Sequence, residues 1–451
     1  SYEGFFRALA KTYYEYINLD TNKNFHGNRD FYHLIKTAMY DLMNKGEELQ
    51  KNEKRILTEI GLFNLRRNFG GLSDSTSKIE EVFKNIYGYK YDDNFGKDTK
   101  FSVIDVIKKN LSNPNSRYLM LISEENDGSD IAKYLIKKLK KNYIELIGSK
   151  YKRDLSSGRY IEEVLNKIKY IIGTETILIL KDLNKIYPSL YDLFNQNFIL
   201  FGDKKTVRIA FEYTKISSEV NKDFHAIVIV NKKQIEKLKL DPPFINRFEK
   251  HIINFNMLLD KKDNEIVENI NKYFFLISCF NNNKELKYDL GKLLINCRQH
   301  NIEGLVFKTK QDIENNKILN KKHLEKGKTY EEIIIKETFK KIVPTLCQDI
   351  IVAIVKLDLP QKQFNNMILE LYKEKKYNNF ESFFKNISKR KNIIYTLSKV
   401  TEDIFIDKIT IKNKFGTFTH QLTEYEMVES IKSENDLVSL IKNFPDSNKN
   451  L

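Results

Sequence analysis

The residues best placed to do chemistry sit where apolar runs end. Arg117-Tyr-Leu-Met-Leu-Ile-Ser123 leads into Ser123-Glu-Glu-Asn-Asp-Gly-Ser-Asp130. A phosphate site at such a place needs a glycine-rich turn, so that backbone N–H groups can cradle the anion, and a following Lys to reach it. This loop has one glycine, no Gly-Lys-Ser/Thr, and four acids where phosphate charge would lie. It repels a nucleotide. The run Thr176-Ile-Leu-Ile-Leu180 ends on Lys181-Asp182, where a magnesium-and-water site would want two adjacent acids. Asp182 is a candidate leftover metal acid, in competition with a surface carboxylate paired to Lys181 or Lys185. Phe224-His-Ala-Ile-Val-Ile-Val230 ends on Asn231, which can orient an attacking water or cap the helix that follows. Cys297-Arg-Gln-His300 has zinc-like spacing, but structural zinc takes four ligands and no second pair is near, so no metal is expected. These positions predict the shape of an ATPase without its chemistry, with neither a catalytic residue nor a bound cofactor in this stretch.

The elements that must position these residues alternate. Short unbroken β-branched runs are what strands buried on both faces look like. Strands are predicted at 117–123, 143–147, 176–180 and 224–230, with a shorter one at 251–255. Between them lie helices at 131–141 and 160–171 and an amphipathic segment at 187–197. Alternation of this kind implies a parallel sheet covered on both sides, an α/β fold of the P-loop NTPase type. The first seventy residues read as helical, with Phe5, Phe6, Leu9, Tyr13 and Tyr14 on one face and Phe31, Leu34, Ile35, Ala38 and Met39 on a second. A further helix, about 47–65, is expected to end at Asn68-Phe-Gly-Gly71, where adjacent glycines can take left-handed angles. Beyond Met257 the pattern is mainly helical, with stripes at 266–274, 330–342 and 364–372. Asp349-Ile-Ile-Val-Ala-Ile-Val355 reads as a buried helix or strand, and 403–412 alternates in part like a strand. Predicted boundaries are 1–72 helical, 73–100 linker, 101–255 α/β core and 256–451 mainly helical.

Composition sets the outer limits. The chain has 451 residues, 41% of them apolar, with 30 Phe and 25 Tyr, enough to fill real cores. No apolar run is long enough for a membrane span and no signal peptide opens the chain, so a cytoplasmic protein is expected. It lacks an initiator Met and begins inside what reads as a helix, which points to a piece of something longer. Three widely spaced cysteines argue against a disulfide framework. The net charge of +15 comes from Lys and Arg spread along the whole length among 61 acids, as on solvated helix faces. That spread argues against nucleic acid as a partner.

Several motifs are more specific. Ser189-Leu-Tyr-Asp-Leu-Phe-Asn-Gln196 and Pro243-Phe-Ile-Asn-Arg-Phe-Glu-Lys-His251 resemble one AAA+ module of the mysterin-like giant RING-finger E3 ubiquitin ligases. Phe25-His-Gly-Asn-Arg-Asp-Phe-Tyr32 and Arg67-Asn-Phe-Gly70 are similar to the helical lid that closes the preceding module in that family. Phe415-Gly-Thr-Phe-Thr-His-Gln-Leu-Thr423 resembles its downstream region more weakly.

The resemblance implies six AAA+ units in one dynein-like ring, with ATP and magnesium in neighbouring modules and zinc in a separate ligase region. Partners would be neighbouring modules of the same chain and, through the parent, the ubiquitin machinery. By this resemblance residues 1–72 are the lid of one module, 101–255 a degenerate core, and 256–451 a lid and linker to the next. No RING-type cysteine cluster is present here. Arg247 stands where the family places an arginine that reaches a neighbour's nucleotide, against a salt bridge to Glu249 or Asp241. Arg29 resembles a lid arginine that senses γ-phosphate, against an ion pair with Asp30 or Glu47. The competing expectation is a free-standing basic AAA+-like scaffold that binds nucleic acid or a protein.

Overall fold

A computed structural model describes residues 2–19, 25–88, 101–124, 127–211, 214–236, 242–280, 301–315, 329–343, 346, 362–374, 408–413, 416–421 and 432–443. The 349–355 run and Cys297-Arg-Gln-His300 lie outside them. The chain divides into two compact units, Ser1–Asp260 and Lys261–Leu451.

The first unit opens with four helices, α1 (Tyr2–Asn18), α2 (Asn28–Met43), α3 (Gly46–Asn68) and α4 (Ser75–Tyr87). Their apolar stripes meet in one core of Phe5, Leu9, Tyr16, Leu34, Leu65, Phe69, Ile79 and Phe83. Burying each such Phe stabilises the bundle by about 1.5–3 kcal/mol. Part of the 73–100 stretch, expected as linker, is thus helical: α4 packs Phe83 edge-on against Phe5, and Gly88 ends it in a left-handed turn. Helix α5 (Val103–Ser112) then starts on a capping box, Ser102 with Asp105.

The sheet consists of β1 (Leu119–Ser123), β2 (Asn142–Ile147), β3 (Thr176–Lys181), and two strands that follow an insertion. Helices α6 (Gly128–Lys138), α7 (Lys152–Leu155) and α8 (Gly158–Ile172) lie between the first three. After β3 the expected amphipathic segment is shorter than predicted, a 3₁₀ turn at Tyr187–Leu190 and one α turn, α9 (Tyr191–Phe194). Next comes a three-stranded antiparallel sheet that the sequence reading missed: β4 (Ile199–Phe201), β5 (Lys204–Phe211) and β6 (Thr214–Val220). Strand β7 (His225–Asn231), the short helices α10 (Lys232–Glu236) and α11 (Pro242–Ile245), and β8 (Glu249–Ile252) complete the core.

The main sheet has the order β2-β3-β7-β1-β8, with every pairing parallel. Side chains alternate across it, as strand geometry requires. Met120, Ile122, Leu178, Leu180, Val228 and Val230 face a core shared with α8, the insertion and Phe244 and Phe248. Leu119, Leu121, Ile177, Ile179, Ile227 and Ile229 face α5 and α6. The central strands therefore carry apolar residues on both sides, which explains their unbroken β-branched runs.

The second unit is mainly helical among its described residues: α12 (Lys261–Phe280), α13 (Asn301–Asn315), α14 (Tyr330–Ile342), α15 (Lys362–Glu374) and α16 (Glu434–Asn443). One hairpin, β9 (Lys408–Asn413) with β10 (Gly416–Gln421), carries the partly alternating stretch. Tyr273 packs edge to face against Phe339 and Phe364, and its hydroxyl donates to Asn365 Oδ1 at 2.6 Å.

Candidate functional site

The two ends of the parallel sheet hold very different polar chemistry. At the carboxyl end, where open α/β sheets bind ligands, the groups mostly pair with one another. Asn231 donates Nδ2 to the Glu124 carbonyl at 3.0 Å, and its Oδ1 accepts from the Lys233 N–H at 2.8 Å, the capping geometry. Lys232 pairs with Glu124 at 2.9 Å. Asp182 stands in the left-handed region (φ 57°) and lies 3.8 Å from Lys150, not Lys181 or Lys185. Gly128 opens α6 directly, and a Cβ there would stand 2.9 Å from Ser123 Oγ, so the described part of the turn is closely packed.

At the amino end four of the motifs meet. Asp30, in the first turn of α2, is fully buried and accepts from Arg117 at 2.8 Å and Lys250 at 3.1 Å. Burial alone would raise its carboxyl, but Lys250 and Arg117 outweigh that and hold it down to about 2. Lys250 is itself fully buried; desolvation lowers its ammonium to about 8, against the pull of Asp30, and Nζ also donates to the Phe25 carbonyl at 3.2 Å. Arg117 reaches Asn68 Oδ1 at 2.9 Å.

A second knot adjoins it. Arg67, 2% exposed at the end of α3, donates Nε to Glu249 at 2.7 Å and Nη2 to Ser116 Oγ. Asn110 of α5 donates to the same Glu249 oxygen at 2.8 Å and accepts from His225 Nε2 at 2.9 Å, while His251 Nε2 donates to the other oxygen at 3.2 Å. Burial would raise Glu249; Arg67 and His251 hold it down to about 2. Burial pushes His225 down to about 3, so the ring is neutral. His26 falls to about 3 for the same reason, with Lys250 adding to it. Its Nε2–H therefore donates to the Gly70 carbonyl at 2.9 Å, leaving Nδ1 to accept from Tyr16 at 3.1 Å.

The predicted site residues divide between these ends. Asp182 and Asn231 are at the carboxyl end and apart from the two arginines. Arg29 and Arg247 come together at the amino end: both donate to Asn195 Oδ1, Arg247 through Nε at 2.9 Å. The Arg247 guanidinium also lies 3.8 Å from the centre of the Tyr191 ring. Neither of the ion pairs weighed for them from described residues forms, because Glu249 is taken by Arg67 and Asp30 by Arg117 and Lys250. Asp241 and the Glu47 side chain lie outside the described residues. Sequence reasoning missed Arg67, Asn110, Arg117 and Lys250 as a group. Their signal was polar residues inside the motifs flanked by core-type neighbours. Among the described residues no His, Cys, Asp and Glu cluster could hold a metal ion.

Comparison with known proteins agrees with this architecture. Residues 108–259 match the family described as the RNF213 AAA domain. The chain is 26% identical to the human E3 ubiquitin-protein ligase RNF213 over 282 residues, 59% of this chain and 5% of the human protein. The zebrafish (Danio rerio) E3 ubiquitin-protein ligase rnf213-beta is 26% identical over 276 residues, again 59% of this chain and 5% of its own length. The mouse (Mus musculus) RNF213 is 26% identical over 282 residues, 60% of this chain and 5% of that protein. The chain thus spans about 5% of the length of the curated relatives it matches. With a five-stranded parallel sheet under helices and motifs of that family knotted at one end of it, residues 108–259 form an RNF213-like AAA+ module.

Proposed function

We propose that this stretch is a nucleotide-free coupling module in the ATPase core of a giant E3 ubiquitin ligase, passing movement between ATP-binding neighbours. In this reading helices α1–α4 are the lid of a preceding module, residues 101–255 a core that holds no nucleotide, and the second unit a lid and linker to the next. ATP and magnesium belong to neighbouring modules, zinc to a ligase region elsewhere in the parent, and the whole works in the cytoplasm. Among the described residues no helix is long and apolar enough to cross a membrane.

The observation that carries the reading is the fully buried Lys250–Asp30 pair between β8 and α2. Breaking a buried pair costs about 3–5 kcal/mol, because the remaining charge stays out of water. A lid held that way does not swing against the core it touches, and a push on the helices becomes a push on the sheet. The acid-rich turn at 123–130 and the close contact of Gly128 with Ser123 support an unfilled nucleotide position.

Amide hydrogen exchange on the whole chain tests the coupling. The α2 and β8 amides are expected to exchange together, with the protection of global unfolding, and ATP with magnesium is expected to leave residues 119–131 unchanged. Exchange of α2 through a separate, cheaper opening would overturn the coupling; ATP protection at Gly128 would overturn the empty pocket. Writing Gly-Lys-Thr into the 123–130 turn is expected to give no hydrolysis, since the Lys181 position still lacks its acid.

A further inference from the structure

The parallel sheet ends on β8 at one side and on β2 at the other, and these two edges are finished differently. On β8, Glu249, Lys250 and His251 are buried, and the turn at Gly70 stands so close that a Cβ there would meet the Lys250 carbonyl oxygen. That edge is closed. On β2 no residue is buried, and Ile144 and Ile147 are 39% and 52% exposed. Gly148 donates its N–H to the Lys181 carbonyl at 2.8 Å, which fixes the phase of the ladder between β2 and β3. Main-chain groups point alternately to the two sides of a strand, so those of Asn142, Ile144 and Leu146 face β3 and those of Tyr143, Glu145 and Ile147 face outward. Among the described residues no main-chain partner meets these outward groups.

An open row of N–H and C=O groups is a template for another strand, and soluble proteins usually blunt it with Pro, a bulge or an outward Lys. Strand β2 has none of these. Residues 142–147 contain no Pro, their register with β3 runs residue by residue, and the one charge, Glu145, is held by Lys133 of α6 at 2.6 Å. What brackets the strand decides the occupant. Before it stand exposed Lys137, Lys138 and Lys140, with Lys137 Nζ 5.9 Å from the centre of the Tyr143 ring; after it stand exposed Lys150 and Lys152. A second copy pairing on β2 would set these lysines against one another whichever way it ran, and like charges opposed across strands destabilise the pair. A segment with acids at both ends meets cations instead.

We propose that the open edge of β2 is a docking site for an extended protein segment, apolar in its middle and acidic at both ends, that adds to the sheet as a further strand. Its main chain takes up the outward groups of Tyr143, Glu145 and Ile147, its apolar side chains cover Ile144 on one face and Ile147 on the other, and its acids lie by the lysines. The site is at the side of the sheet and goes beyond the coupling reading, on which it does not depend.

Fluorescence anisotropy of the labelled peptide Asp-Glu-Val-Thr-Val-Ile-Val-Glu-Asp with the whole chain tests it. Ile144→Thr combined with Ile147→Thr, which keeps strand-forming residues at exposed positions, is expected to weaken binding about fivefold to tenfold. Lys137→Gln combined with Lys150→Gln is expected to weaken it about threefold, whereas Lys78→Gln, an exposed cation on α4, leaves it unchanged. Two versions of the peptide N-methylated at alternate residues, one in each phase, are expected to part: the phase that blocks the donors facing β2 abolishes binding and the other retains it. General attraction to a basic surface would not tell the phases apart. Equal behaviour of the two phases, equal binding of a peptide with Lys in place of its acids, unaltered binding by the double Thr variant, or loss in Lys78→Gln overturns the proposal. So does a native chain that does not bind the peptide, or one that sediments as a dimer which the double Thr variant dissolves.

Discussion

The amino and carboxyl ends of one parallel sheet differ in what their polar residues are for. At the carboxyl end Asp182, Glu124, Asn231 and Lys232 are at least partly open to water, and Lys150, facing Asp182, is 81% exposed. At the amino end Asp30, Lys250, Glu249 and Arg67 are at most 2% exposed and satisfy one another. A surface pair contributes little because water screens it. A buried one is expensive to break because each partner is left without solvation. In this module Asp182, Glu124, Asn231 and Lys232, at the end where open α/β sheets bind ligands, make contacts open to water, and the buried charges of Asp30, Lys250, Glu249 and Arg67 gather at the opposite end.

Acid should break that contrast most severely. His26 and His225 are held near 3 in the fold and return to about 6.5 when unfolded, so the unfolded chain binds more protons between those values. The stability these two rings contribute is therefore present in full above pH 6.5 and is lost as pH falls toward 3. Asp30 and Glu249 add their share only below their ordinary range, as pH drops toward 2. A urea midpoint that stayed flat from pH 7 to pH 4 would contradict the buried amino end.

Glu249→Ala comes next. It strands Arg67 in the interior and should cost about 3–5 kcal/mol in urea unfolding. A double-mutant cycle with Arg67→Met should return a coupling of about 1 kcal/mol or more. Gly148→Ala probes the other end through the backbone: the new Cβ would stand 2.0 Å from the Asp182 carbonyl oxygen, so β2 and β3 must part, at a cost of about 1–3 kcal/mol. Asp182→Asn, which removes the charge facing exposed Lys150 and keeps a side chain suited to the left-handed backbone (φ 57°), should change stability by less than about 0.5 kcal/mol. A large loss there would mean that the carboxyl end is structurally committed too.

Much of this was legible in the sequence where the physics is local. The Thr176 and Phe224 runs announced strands buried on both faces because β-branched side chains have little other use in such density. The 160–171 stripe announced α8 through its period. The insertion β4–β6 was not legible: Lys204–Phe211 mixes Lys and Arg with Val207 and Ile209, and its alternation is half hidden by charges on the open face. The motifs presented the opposite difficulty. Arg247 and Arg29 were easy to single out, but nothing local says that both reach Asn195, since that meeting depends on helix α2 docking beside β8. Arg67 and Glu249 lie far apart in the chain, and each looks like an ordinary surface charge until the fold brings them together.

Gly70 and Gly71 draw one consequence from this packing. A Cβ on Gly70 would stand 2.5 Å from the Lys250 carbonyl oxygen, and one on Gly71, whose φ is 93°, would stand 2.7 Å from Lys250 Cβ. Both obstacles are main chain or the root of an immobile side chain, so neither can step aside. In a saturation library scored for soluble yield, these two columns should accept no alternative residue, while Gly202, with open space at its own hairpin bend, should tolerate Asn.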